Sequence, residues 1–79
     1  MAYYVYKGKV NHPAYELPFI IYFDPYEESV CITTTYMSAP KPSICNYQYP
    51  ARSLNDVRTL INKMGANGDD VIFKYYYLH

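Results

Sequence analysis

Four side chains are of the types from which reactive centres are built: His12, His79, Cys31 and Cys45. A thiol becomes a nucleophile when a neighbouring imidazole takes its proton, and that arrangement demands a rigidly held base. His12 stands in an Asn-His-Pro turn and His79 at the last position, so neither is a good place for such a base. Two cysteines and two histidines could also satisfy tetrahedral zinc. Positions 12, 31, 45 and 79, however, contain none of the close pairs that make such sites compact. Gly8, Gly65 and Gly68 are scattered and form no phosphate-cradling loop. The sequence therefore predicts no catalytic residue, no metal and no cofactor.

What remains is binding chemistry. Lysines beside tyrosines recur in YVYKGKV and FKYYY, a combination that stacks bases and holds phosphates in single-strand nucleic-acid binders. Against this, seven basic residues are balanced by seven acidic ones, whereas phosphate-binding domains usually carry net positive charge. Asp24, Glu27 and Glu28 cluster at a turn, which reads first as solvated charge and second as a surface for a basic partner. The segment YMSAPKPS, 36–43, places Tyr36, Met37 and Lys41 on a proline-stiffened tip that could insert into a partner at little ordering cost.

Seventy-nine residues allow one domain, 1–79, with a single small core. Hydrophobic residues make up 51% and charged ones 18%, the balance of a folded chain rather than a disordered one. The aromatic content is unusual, with 12 Tyr and 3 Phe but no Trp. Tyrosine suits half-buried sheet surfaces, because its ring packs while its hydroxyl reaches water or a partner. The opening MAYYVYKGKV holds no apolar run long enough for a signal peptide, and no stretch approaches the roughly 18 apolar residues of a membrane span. A cytoplasmic protein without membrane association is expected. In that compartment Cys31 and Cys45 should be reduced, partly buried thiols, a cross-strand disulfide between them being the alternative.

The elements that position these residues follow from periodicity. Strand formers dominate 2–10, 19–23, 29–37, 43–49 and 70–78, separated by Pro, Asn, Asp and Gly punctuation. Between the fourth and fifth of these the period changes. Leu54, Val57, Leu60, Ile61 and Met64 share one face of a helix at about 53–65, with Ser53 as N-cap, Asp56 completing a capping box and Gly65 ending it. The fold class is α+β: a four- to five-stranded antiparallel sheet in the order β-β-β-β-α-β, with one helix packed on one face.

One helix covers one face of such a sheet, so the other should be open. Lys7 and Lys9 share a side with Tyr3 and Val5, and Lys74 with Ile72, Tyr76 and Leu78. That places Tyr4, Tyr6, Val10, Val71, Phe73, Tyr75 and Tyr77 beneath the helix, together with Phe19, Ile21, Phe23, Val30 and Ile32. Ile20, Tyr22, Cys31 and Thr33 face outward. A hairpin centred near Ser38 would set Cys31 opposite Cys45 and put Tyr47 and Tyr49 outside. It would also turn Asn46 and Gln48 toward the core, a conflict that a register shift would remove.

The open face then presents Tyr3, Tyr22, Tyr47, Tyr49 and Tyr76 between Lys7 and Lys74, an amphipathic aromatic surface of the kind enriched at interface hot spots. A small antiparallel sheet with one helix and no catalytic constellation is a plan shared by many short inhibitors encoded by phages and other mobile elements. On that analogy the chain is read as a non-catalytic inhibitor. It would bind and block a larger host complex, such as a CRISPR effector or other defence nuclease, through this face and the 36–43 loop. Homodimerisation through the same face or an open strand edge is compatible with this reading. The alternative is a single-stranded nucleic-acid-binding protein using the same tyrosines and lysines.

Overall fold

A computed structural model describes residues 3–33 and 45–78. Five strands, β1 (Tyr3–Val10), β2 (Phe19–Asp24), β3 (Ser29–Thr33), β4 (Tyr47–Pro50) and β5 (Lys74–Leu78), and one helix, α1 (Leu54–Lys63), follow the expected order. The strands form one antiparallel sheet in the spatial order β4-β3-β2-β1-β5. The chain leaves one edge at β4, crosses the sheet through α1, and re-enters at the opposite edge as β5. Tyr36, Met37 and Lys41 of the expected tip lie outside the described residues.

Local chemistry fixes both ends of the helix. The Ser53 hydroxyl accepts the Asp56 N–H at 3.2 Å, and the Asp56 carboxylate accepts the Arg52 N–H at 3.0 Å. One orphaned first-turn donor is thereby satisfied, and the residue before the cap is tied to the first turn. At the other end Gly65 takes φ of +95°, with Gly65 N–H donating to Asn62 C=O and Ala66 N–H to Ile61 C=O. These are the paired bonds of a Schellman stop, which needs a residue tolerant of left-handed backbone. Val57 and Ile61 are buried, with Leu54, Leu60 and Met64 half-buried beside them. They pack on Val10, Phe19, Ile21, Val30 and Ile32 of the sheet, as the helical spacing requires.

Two departures from the sequence expectation shape the surface. The last strand begins at Lys74, not at 70. Gly68–Asp70 form a 3-10 turn, and Arg58 Nη1 donates to the carbonyls of Gly68 (2.5 Å) and Val71 (2.9 Å), tying this segment to the helix. Val71 and Phe73 then cross directly over Gly8, where a Cβ would stand 2.5 Å from Val71 Cγ1. The second departure is register. β3 pairs with β4 through Val30↔Tyr49, Cys31↔Gln48 and Ile32↔Tyr47. Tyr47 and Tyr49 therefore share the helix side with Val30 and Ile32, and Gln48 turns outward. The hairpin centred near Ser38 is corrected, and the buried-amide conflict it created disappears.

The expectation of an open outer face is also corrected. Val5, Ile20, Tyr22 and Cys31 are buried and form a second cluster, against which Cys45 and Tyr76 pack. Thr33, on the same side, is buried and donates its hydroxyl to Asn46 Oδ1 at 2.9 Å. Cys31 and Cys45 are joined as a disulfide with Cα atoms 5.5 Å apart, so the expectation of two reduced thiols does not hold. Apolar packing thus occupies both faces of the sheet. Among the described residues, no helix is long and apolar enough to cross a membrane.

Candidate functional site

Three of the four groups considered for chemistry are engaged structurally, and His79 lies outside the described residues. His12 Nδ1 accepts the Ala14 N–H at 3.0 Å, and Nε2 donates to the Met64 carbonyl at 2.7 Å. An imidazole that accepts at one nitrogen and donates at the other is neutral, with its tautomer set by its neighbours. Here it bolts the 11–18 loop to the C-terminal end of α1. The two thiols are consumed in the disulfide. Among the described residues no group of three or more His, Cys, Asp or Glu is placed to hold a metal ion.

The exposed aromatic residues lie elsewhere than expected. The facing of β1 and β5 is as read from their lysines: Tyr4 pairs with Tyr77 and Tyr6 with Tyr75, all on the helix side. Yet α1 does not cover them. A ten-residue helix is only about 15 Å long, and it is seated over β2, β3 and the C-terminal half of β1. The N-terminal half of β1 and the length of β5 extend past it. Tyr75 and Tyr77, expected beneath the helix, are instead exposed, as is Tyr4.

These rings form a continuous chain from core to surface. Tyr6 stacks on buried Phe23 with centroids 6.1 Å apart, and Tyr75 lies 4.8 Å from Tyr6. Tyr4 meets Tyr75 edge-on at 5.6 Å and Tyr77 at 5.0 Å. Offset and edge-to-face contacts of this kind hold rings in fixed orientations. The Tyr6 hydroxyl donates to that of Tyr75 at 3.1 Å, which raises the Tyr6 pKa, the lost donor bond being the main cause. Across the cleft stands Tyr26 in the β2–β3 turn, 73% exposed. Its backbone N–H and that of Glu27 both donate to Asp24 Oδ1, so the turn is held by its own side chain. Tyr4, Tyr6, Tyr75, Tyr26 and Pro25 line a depression of about 530 Å³.

The residues expected to bind a partner are thus divided. Tyr22 is 4% exposed and belongs to the outer cluster, so it presents no surface. Tyr76 is half-buried, with Lys7 Nζ 4.6 Å from its ring centroid and 5.6 Å from that of Tyr22. Tyr49 packs into the main core, and Tyr47 is exposed at the far edge of the sheet. Tyr3 sits in β1 opposite Leu78, and Lys7 opposite Lys74. The structure brings together Lys7, Lys74 and Tyr76 on the outer side and a different set, Tyr4, Tyr6, Tyr26, Tyr75 and Tyr77, on the helix side. The second set was missed because facing was equated with burial. The signal available was length, since one short helix cannot shade five strands. Neither the family models, the curated proteins nor the solved structures compared with the chain give a match.

Proposed function

We propose that the chain is a non-catalytic protein-binding module that docks on a larger protein through the Tyr4–Tyr6–Tyr26–Tyr75–Tyr77 platform. In its more specific form it is an inhibitor that blocks a host complex. The observation that carries the reading is the gathering of five tyrosines from three separate segments on a part of the helix side that α1 leaves uncovered. Ring contacts order Tyr4, Tyr6, Tyr75 and Tyr77 in advance, so docking costs little side-chain entropy, and tyrosine is a favoured interface anchor for that reason. The engagement of His12 and both cysteines supports a role without catalysis.

Single-stranded nucleic acid is less well served. Stacking needs open rings and phosphate contacts need cations on the same surface. Here the open rings lie on one face of β1 and β5 and Lys7, Lys9 and Lys74 on the other. Cytoplasmic residence, expected from the sequence, stands against the Cys31–Cys45 bond, because structural disulfides persist in oxidising compartments.

The test is site-specific photo-crosslinking in a lysate of the native host, with the reactive group at position 75 or, as control, at exposed Thr59 on the helix. A discrete adduct from position 75, absent from position 59 and lost in Tyr4→Ser/Tyr26→Ser, is expected. Equal adducts from both positions, or none from position 75, would refute the platform.

A further inference from the structure

A second surface, on the opposite side of the sheet, carries a different chemistry and does not depend on the tyrosine platform. We infer that it is a binding groove for a single-chain anionic amphiphile, a carboxylate or phosphate head on an aliphatic body. The groove, of about 580 Å³, runs over β1 where it lies between β5 and the start of β2. That volume falls in the range of small-molecule sites.

Charge is the first argument. Lys7 and Lys74 stand directly opposite one another in the β1–β5 register, and Lys9 lies two residues on, on the same face. Like charges placed directly across a strand pair repel, and an anionic head lying over this register would offset that repulsion. Among the described residues no acidic side chain lines the groove. The nearest acid in sequence, Glu16, lines the adjoining depression with Tyr15 and Phe19. Lys9 and Lys74 are exposed and form no ion pair among the described residues, where the one salt bridge is Arg52–Glu28.

The walls are the second argument. Leu17 and Ile72 are large aliphatic side chains that flank the lysines and are 64% and 74% exposed. The floor is Ile20 and the edge of Tyr76, whose ring is capped by the Lys7 ammonium. Apolar side chains left this open beside a row of cations match a ligand with both properties. Tyr75 reaches the rim of the groove, but its ring belongs to the helix side of the sheet, and a purely polar anion leaves Leu17 and Ile72 uncovered.

The experiment is calorimetric titration of the oxidised protein with dodecanoate and dodecyl phosphate, below their micellar range. One-to-one binding with Kd of about 0.1–1 mM is expected from ligand-efficiency limits for a chain of this size. The tighter of the two identifies the headgroup. Lys9→Gln/Lys74→Gln should weaken binding roughly tenfold, as loss of about one charge-assisted contact does. Ile72→Asp should do the same, and both variants replace exposed side chains, so their unfolding midpoints should not fall below that of the parent. Dodecanol should bind at least as weakly as the double variant binds dodecanoate. Equal affinity for dodecyltrimethylammonium, unchanged binding in the double lysine variant, or no heat with either anion would overturn the assignment. Tighter binding of an acidic, leucine-rich peptide than of either amphiphile would also overturn it, in favour of a protein segment.

Discussion

The separation of structural from free tyrosines can be tested by comparing Tyr22→Ala with Tyr75→Ala. Tyr22 is 4% exposed, packed with Val5, Ile20 and Cys31, and lies under the Lys7 ammonium. A tyrosine buries on the order of 200 Å² when enclosed, so truncation to Ala forfeits about 3–5 kcal/mol including the cavity left behind. Tyr75 is 69% exposed. About a third of the same area is at stake, and its hydroxyl partner Tyr6 can turn to water, so the loss is about 1 kcal/mol. A domain of this length has only ~4–12 kcal/mol in total, which makes Tyr22→Ala marginally folded or unfolded. Urea denaturation followed by far-UV circular dichroism separates the two. With a slope near 1 kcal/mol/M for a small domain, midpoint shifts of roughly 3 M or more and 1 M or less are expected. Tyr22→Phe, which keeps the ring, should stay within about 1 kcal/mol of the parent. Equal losses from the two Ala variants, or a larger loss from Tyr75→Ala, would show that the outer cluster or the open platform is misassigned.

Three further outcomes follow from particular contacts. The disulfide closes a sequence separation of 14, so reduction should lower stability by about 3 kcal/mol on the loop-entropy account; a thiol assay giving two free cysteines without reductant, and no stability change with it, would contradict this. A Cβ at Gly68 would run into the Arg58 carbonyl oxygen, a backbone atom that cannot step aside. Gly68→Ala should therefore cost about 2–3 kcal/mol by thermal unfolding, against a few tenths for Ala at an open site. Because Tyr6 donates its proton to Tyr75, its pKa is raised in the folded state. The stabilisation linked to that proton is present below the ordinary phenol range and is lost as pH rises through the raised value. In a titration at 295 nm Tyr75→Phe should complete its ionisation at lower pH than the parent.

Much of the fold was legible because local chemistry and periodicity agreed. The helix announced itself through Ser53 and Gly65 at its ends and five apolar residues on one face, which act as read, whereas the Asp56 carboxylate takes the Arg52 N–H in place of the N-cap's own. Lys7, Lys9 and Lys74 gave the facing of β1 and β5 correctly, since a lysine is not placed on a buried face without a partner. What failed depended on distance in sequence. The register of β3 on β4 is a long-range pairing that alternation along either strand does not determine, so Tyr47 and Tyr49 went to the wrong side. The burial of Tyr22 and the bond between Cys31 and Cys45 belong to a second cluster for which alternation alone gives no signal. The groove around Lys7, Lys9 and Lys74 was half visible: the cations could be read, whereas the convergence of Leu17 and Ile72 beside them could not.

The claim that the helix-side tyrosines form a docking surface is tested most directly by hydroxyl-radical footprinting of the protein free and in the complex captured from its host. Tyr4, Tyr26 and Tyr75 should be modified readily in the free protein and protected several-fold in the complex, while Tyr22 stays protected in both and Leu17 and Ile72 are unchanged. Modification of Tyr26 and Tyr75 at the same rate in both states, with protection falling on other residues, would contradict the account.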